Sequence, residues 1–241
     1  AIASMWRSWG VEPTMMIGHS VGEYAAAALA DMFTIEDGAR LIAARGRLMQ
    51  ALPTDGMMIS VQGPTPADMQ LVKSEVAVAS DRVSIAAWNG PASVVIAGAR
   101  AETEAIAARL TAQGLRTQPV VVSHAFHSPL MAPMLDEFER IANKVNYQAP
   151  RIAWVSTLDG ERFDWSRWQG CMARYWTEQV RSAVCFEHGM RTLGGEGCDV
   201  YLEVGPHPVL VGMGRGCAEP PKPVQWLASL NSKRGAWEQV L

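Results

Sequence analysis

The sequence predicts an α/β fold in which a parallel-sheet body is interrupted by a small inserted subdomain. Three observations carry this. A short apolar run bounded by Pro13 and Gly18 leads directly into an Ala-rich helix former, Tyr24 to Ala30, which reads as a buried strand feeding a helix. From about residue 55 to 119 the pattern changes and reads β-α-β-β-α-β. Beyond that segment longer helices and short strands resume, as if the first unit continued.

Taken in order, the chain opens in a helix-like pattern, Ile2, Met5, Trp6 and Trp9, with no initiator Met. After the first strand and the Ala-rich helix, a second helix covers Ile35 to Leu52. It places Leu41, Ile42, Leu48 and Met49 on one side and ends at Pro53. Met57 to Val61 reads as a strand and Pro64 to Val76 as a helix. Two strands follow, Val83 to Ala87 and Ser93 to Ala97, joined by the turn signal Trp88-Asn89-Gly90-Pro91. Ala101 to Gln113 is a helix stopped by Gly114, and Arg116 to Val122 a strand. That order matches the ferredoxin-like split unit, so the subdomain is placed at 55–119 and the body at 1–54 and 120–241. In the resumed body a helix is expected near 129–145, a strand at 151–158, and helices through 165–192. A strand at 200–204 ends at Gly205-Pro206-His207-Pro208, and a Pro-rich stretch near 220–223 precedes a last strand at 226–230.

Hydrophobic residues make up 49% of the 241 and charged residues 19%, enough apolar surface for a core and unlike a disordered chain. The net charge of −3, with no basic stripe, argues against nucleic acid as a partner. Cys171, Cys185, Cys198 and Cys217 are scattered without ligand-like spacing, so no metal site is expected and reduced thiols are. No run approaches the ~20 apolar residues that span a bilayer. A cytoplasmic protein without membrane contact is the expectation.

The chemistry starts at Gly18-His19-Ser20-Val21-Gly22. A Gly-x-Ser-x-Gly run between a strand and a helix reads as a nucleophile elbow, with Ser20 Oγ pushed into the open. This makes the body hydrolase-like. The Val21 N–H, at the helix N-terminus, is then placed to hold an oxyanion. Ser20 needs a base, and the histidines are His19, His124, His127, His188 and His207. Neighbours on a tight turn point apart, so His19 is a poor base and is assigned to turn support beside the substrate.

Four ordered stretches resemble the malonyl-type acyltransferase domains of type I polyketide synthases. They are Gly18-His19-Ser20-Val21-Gly22-Glu23-Tyr24-Ala25-Ala26-Ala27, Ala44-Arg45-Gly46-Arg47-Leu48-Met49-Gln50, Ser123-His124-Ala125-Phe126-His127-Ser128-Pro129-Leu130-Met131, and Glu203-Val204-Gly205-Pro206-His207-Pro208-Val209-Leu210. The resemblance implies that His127 is the base and His124 a pocket residue. It implies that Arg45 grips a substrate carboxylate with two parallel hydrogen bonds. It aligns Gln179 with a position whose backbone carbonyl orients the catalytic histidine, and Asn89 with a turn near the pocket entrance. His124-Ala125-Phe126-His127 is similar to the malonyl-selecting version, in which a bulky Phe126 leaves little room for an α-methyl, a preference of about 1–3 kcal/mol. Val21, where methylmalonyl enzymes commonly have Gln, points the same way.

The activity so implied moves a malonyl unit from malonyl-CoA through an acyl-serine to the phosphopantetheine thiol of an acyl carrier protein. No tightly bound cofactor is involved, and a ketosynthase and other synthase domains are expected neighbours. The family's opening Gln-containing, glycine-rich loop, which supplies half of the oxyanion hole, is not among these residues; a second chain or further residues are expected to complete the site. Two other readings compete. One is an α/β-hydrolase-type serine esterase or thioesterase with His207 as base and Asp199 or Glu203 behind it. The other is a non-catalytic docking fragment.

Overall fold

A computed structural model describes residues 1–217 and 223–231. Residues 218–222 and 232–241, which the sequence assigns to the Pro-rich stretch and the end of the body, lie outside the described residues.

The chain opens with α1 (Ile2–Ser8), β1 (Met15–Ile17), α2 (Gly22–Leu29) and α3 (Ile35–Gln50). Thr34 starts α3 by accepting from the Asp37 N–H at 3.1 Å, and Glu36 and Asp37 sit favourably in its first turn. Gly38, Leu41, Ala44, Arg45 and Met49 form its buried stripe. One of those five is a cation.

The subdomain runs β2 (Gly56–Gln62), α4 (Asp68–Ala77), β3 (Val83–Gly90), β4 (Ser93–Ala99), α5 (Arg100–Ala112) and β5 (Arg116–Val120). Its sheet is antiparallel, in the order β3-β4-β2-β5, the arrangement of a ferredoxin-like split unit. One face packs on both helices through Ile59, Val61, Val72, Val83, Ile96, Ile106 and Leu110. The other face turns to the body and carries small residues, with Met58, Ala86, Ala97 and Ala125 meeting there.

A 3₁₀ turn (Pro129–Met134) leads into α6 (Leu135–Ala142). The single helix expected at 129–145 is divided because Pro133 has no N–H for an α-helical ladder. Then come β6 (Ala153–Val155), α7 (Trp165–Trp168), α8 (Met172–Arg181), α9 (Phe186–Gly195), β7 (Val200–Glu203), α10 (Val209–Gly214) and β8 (Gln225–Ala228). β1 pairs in parallel with β6, and β7 in parallel with β8. The body core behind β1 is aromatic: Tyr24 stacks on Trp176 at 4.2 Å between centroids, and Trp154 on Phe163 at 4.1 Å. Burying such rings supplies much of the apolar driving force and holds α2, α3 and α8 together. Among the described residues no helix is long and apolar enough to cross a membrane.

Candidate active site

β1 delivers the chain to a bend that only a glycine at position 18 permits. A Cβ there would lie 2.3 Å from the carbonyl group of Gly22, which is backbone and cannot yield. Gly22 itself faces open space, so its role is not steric. Past the bend Ser20 has φ +51°, a left-handed conformation that non-glycine residues adopt only when their surroundings impose it. The Gly22, Glu23 and Tyr24 N–H groups donate to the His19, Ser20 and Val21 carbonyls. Among the described residues no acceptor takes the Val21 N–H, which opens the N-terminus of α2 beside Ser20.

Ser20 Oγ lies 2.7 Å from His127 Nε2. His127 is buried and also left-handed, at φ +56°. Its Nδ1 lies 2.8 Å from the Ser182 carbonyl oxygen. A carbonyl can only accept, so Nδ1 carries the proton and the Nε2 lone pair faces the serine hydroxyl. Burial, and next the charge of Arg45, lower the imidazole pKa to about 4, so the ring is neutral at pH 7.

Arg45 reaches this pair from α3, with Nη2 donating to Ser20 Oγ at 3.3 Å. Its guanidinium lies 5.8 Å from the Tyr24 ring centroid, but it makes no ion pair among the described residues and its buried Nε has no partner. Burial lowers its pKa, opposed by Tyr24. A desolvated guanidinium favours an anion as partner and can meet a carboxylate with two parallel hydrogen bonds.

The other expected residues divide. His19 Nε2 bonds Asn89 Oδ1 at 2.8 Å, and its ring packs near Phe186 at 5.5 Å, so the turn after Ser20's neighbour is tied to the end of β3. Phe126 is half-buried between the two cores. His124 departs from the pocket role expected of it: it is fully buried, with Nδ1 bonded to Ser123 Oγ and Nε2 to the Leu52 carbonyl, leaving neither nitrogen for a ligand. The orienting role expected of the Gln179 carbonyl is shared: His127 Nδ1 donates to the Ser182 carbonyl, and the Gln179 carbonyl adds a smaller effect of the same sign. Gln179 also donates through its side chain to the Ser20 carbonyl at 2.8 Å. His207 is exposed before α10, and Glu203 caps that helix by accepting from the Val209 and Val211 N–H groups. Neither stands where the esterase reading needs it.

Sequence reasoning missed the layer beneath the bend. Glu23 is wholly buried, and Tyr175 Oη, Thr157 Oγ1 and Gln179 Nε2 donate to its carboxyl group. Burial raises its pKa and those donors oppose the rise. A Glu in the first turn of a helix is ordinary in a sequence; only packing shows that this one is enclosed. Among the described residues no cluster of His, Cys, Asp or Glu could hold a metal ion.

The chain is 42% identical over 243 residues to polyketide synthase GfsA of Streptomyces halstedii, an alignment spanning 100% of this chain and 3% of that protein. It is 45% identical over 212 residues to the phenolphthiocerol synthesis polyketide synthase type I Pks15/1 of Mycobacterium marinum, spanning 88% of this chain and 10% of that protein. The chain thus spans a tenth or less of these relatives' length. Among solved structures, the acyltransferase domain from the second module of the salinomycin polyketide synthase superposes with a TM-score of 0.90 at 42% identity, over 99% of this chain and 55% of that one. The malonyl CoA-acyl carrier protein transacylase from Clostridium perfringens superposes with a TM-score of 0.86 at 25% identity, over 98% of this chain and 73% of that one. A family model described as the acyl transferase domain matches residues 1–231, and the chain belongs to that family.

Proposed function

We propose that this chain carries malonyl units from malonyl-CoA to the phosphopantetheine thiol of an acyl carrier protein, by way of an ester on Ser20. The observation that carries the reading is a buried guanidinium with no counter-ion among the described residues, 3.3 Å from a serine hydroxyl that a neutral imidazole meets at 2.7 Å.

His127 Nε2 takes the Ser20 Oγ proton as the oxygen attacks the thioester carbonyl carbon. The carbonyl oxygen becomes an oxyanion facing the Val21 N–H, while Arg45 holds the malonyl carboxylate through paired hydrogen bonds. The C–S bond breaks and CoA leaves as a thiol with the proton from His127. In the second half the pantetheine thiol gives its proton to His127 and attacks the ester. Ser20 then leaves as the alkoxide and recovers that proton. The Ser182 carbonyl keeps the Nδ1–H tautomer throughout, the orienting part that a carboxylate plays in a serine triad. Phe126 lies one residue before the base and disfavours an α-methyl branch by about 1–3 kcal/mol.

Malonyl-CoA is a substrate here and the phosphopantetheine belongs to the partner. On this reading a ketosynthase and other synthase domains are its neighbours and the setting is the cytoplasm; the small share of the relatives' length that the chain spans supports a multidomain context. Intact-mass measurement after incubation with malonyl-CoA tests the reading: one malonyl group is expected on wild type and none on Ser20→Ala. A folded wild-type chain that gains no malonyl group refutes it.

A further inference from the structure

β3 is an outer strand of the subdomain sheet, with β4 on one edge only. Its free edge is taken by the body. The Val184 N–H donates to the Ala86 carbonyl and the Trp88 N–H to the Val184 carbonyl, both at 2.9 Å. The pairing of β3 with β4 slips between Ile85 and Ala87 and again between Trp88 and Gly90. Irregularities of this kind bend a strand and re-aim its groups, and here they fall where β3 takes its second partner. Two residues before Val184 is Ser182, whose carbonyl accepts from His127 Nδ1.

The same strand reaches the Ser20–His127 pair once more directly and once through the residue before the serine. Ser84 Oγ donates to the His127 carbonyl at 2.8 Å, and Asn89 Oδ1 meets His19 Nε2 at 2.8 Å. The sheet face toward the body is built to let the 125–127 segment lie close. Ala86 and Ala97 pack with Ala125, and a Cβ on Gly56 would lie 2.7 Å from the Ala125 Cβ. Three contacts of one strand therefore reach the residue before the serine, the backbone of the base, and the loop that fixes the base's tautomer.

We infer that β3 is the positioning strand of the Ser20–His127 pair, and that Ser84, through the His127 carbonyl, is a positioning residue for the base. The inference rests on the reading of Ser20 as nucleophile and His127 as base. His127 holds a left-handed backbone, a state that persists only where neighbours over-determine it. Its ring is fixed by Ser20 and Ser182, and its carbonyl by Ser84. Without the Ser84 hydroxyl that peptide relaxes and the imidazole loses its aim, while Arg45 and the carboxylate it binds are untouched.

The test labels Ser20 on the full chain in wild type, Ser84→Ala and Ser84→Thr with two probes. One is malonyl-CoA. The other is a fluorophosphonate, which needs an activated serine but no carboxylate site. With Ser84→Ala, acylation at saturating malonyl-CoA slows about five- to tenfold, the net worth of one hydrogen bond. KM stays within about twofold, and fluorophosphonate labelling slows by a similar factor. Ser84→Thr, which keeps the hydroxyl, restores both. Ser84→Ala labelling at the wild-type rate with both probes overturns the inference, as does a loss confined to KM. A wild-type chain that takes the fluorophosphonate on Ser20 but no malonyl group overturns the malonyl reading alone, and the Ser84 comparison is then read on the second probe. A wild type that takes neither overturns both. If Ser84→Ala does not fold, Ser84→Cys, of similar size and a weaker donor, is held to the same outcomes.

Discussion

Replacing Arg45 by methionine separates what the guanidinium does for the fold from what it does for the chemistry. Arg45 is only 8% exposed, and no carboxylate among the described residues compensates it. Burying such an ion costs several kcal/mol. Against this stand the Tyr24 ring face, about 0.5–2 kcal/mol, and the bond to Ser20 Oγ, about 1.5–3 kcal/mol. Methionine fills the same stripe of α3 without the charge. We expect Arg45→Met to be more stable by about 1–2 kcal/mol, a rise in Tm of about 2–8 °C for a domain of this size. Malonyl loading moves the other way. Two charge-assisted hydrogen bonds to the carboxylate, each about 1.5–3 kcal/mol, are lost, so kcat/KM for malonyl-CoA falls by about 10²–10⁴. Loading from acetyl-CoA, which has no carboxylate, falls far less. Scanning calorimetry and time-resolved intact mass read the two effects on one sample. A variant that melts below wild type and still prefers malonyl-CoA to acetyl-CoA refutes the reasoning.

Two further substitutions probe the bend itself. Gly18→Ala puts a Cβ 2.3 Å from the Gly22 carbonyl group; we expect a loss of about 3 kcal/mol or more, or no folded protein, whereas Gly22→Ala, facing open space, stays within about 1 kcal/mol of wild type in denaturant titrations. Gln179→Ala removes the side-chain bond to the Ser20 carbonyl and slows Ser20 acylation about tenfold with little change in KM, so a variant that loads at the wild-type rate excludes a part for that side chain.

The parts of this site that were legible in the sequence are those whose residue type is itself the signal. Gly-x-Ser-x-Gly after an apolar run marks the bend, and the motif order singled out a histidine 107 residues away and an arginine 25 away, which the fold brings to one hydroxyl. What escaped is chemistry carried by backbone or by enclosure. Every residue has a carbonyl, so nothing in the sequence separates Ser182 from Gln179 as the acceptor of the imidazole N–H. The resemblance implies a pocket role for His124, but its two nitrogens are spent on Ser123 and Leu52, which only packing shows. Ser84 is one small residue in a strand, and its meaning depends on which edge of the sheet meets the body. The strand expected at 151–158 shortens to Ala153–Val155 because local bonds win past it: Ser156 Oγ accepts from the Leu158 N–H, and Asp159 Oδ1 from the Glu161 N–H.

Arg45 and His127 are also coupled, and this gives the site a preference that shape alone does not. Burial is the larger reason that His127 titrates near pH 4 and the Arg45 charge the next. In the proposed reaction, a malonyl carboxylate on Arg45 would cancel much of that charge and return basicity to the imidazole as it takes the Ser20 proton. A base gains in rate as its pKa rises toward the working pH, so an acid-bearing substrate improves its own catalyst. Acetyl-CoA, with no carboxylate to titrate, is the probe that isolates the effect. In wild type its acylation rate is level at neutral pH and falls as His127 is protonated near pH 4. At pH 5.5 most of the rings are then neutral, where most ordinary histidines are protonated. In Arg45→Met that break moves up toward the ordinary value. Stability shifts with the same sign. The unfolded chain takes a proton through pH 6.5 that the native ring refuses until about pH 4, so native stability falls as pH drops through that window, and less steeply in Arg45→Met. A break that stays near pH 4 in the variant assigns the depression to burial alone and dismisses the coupling.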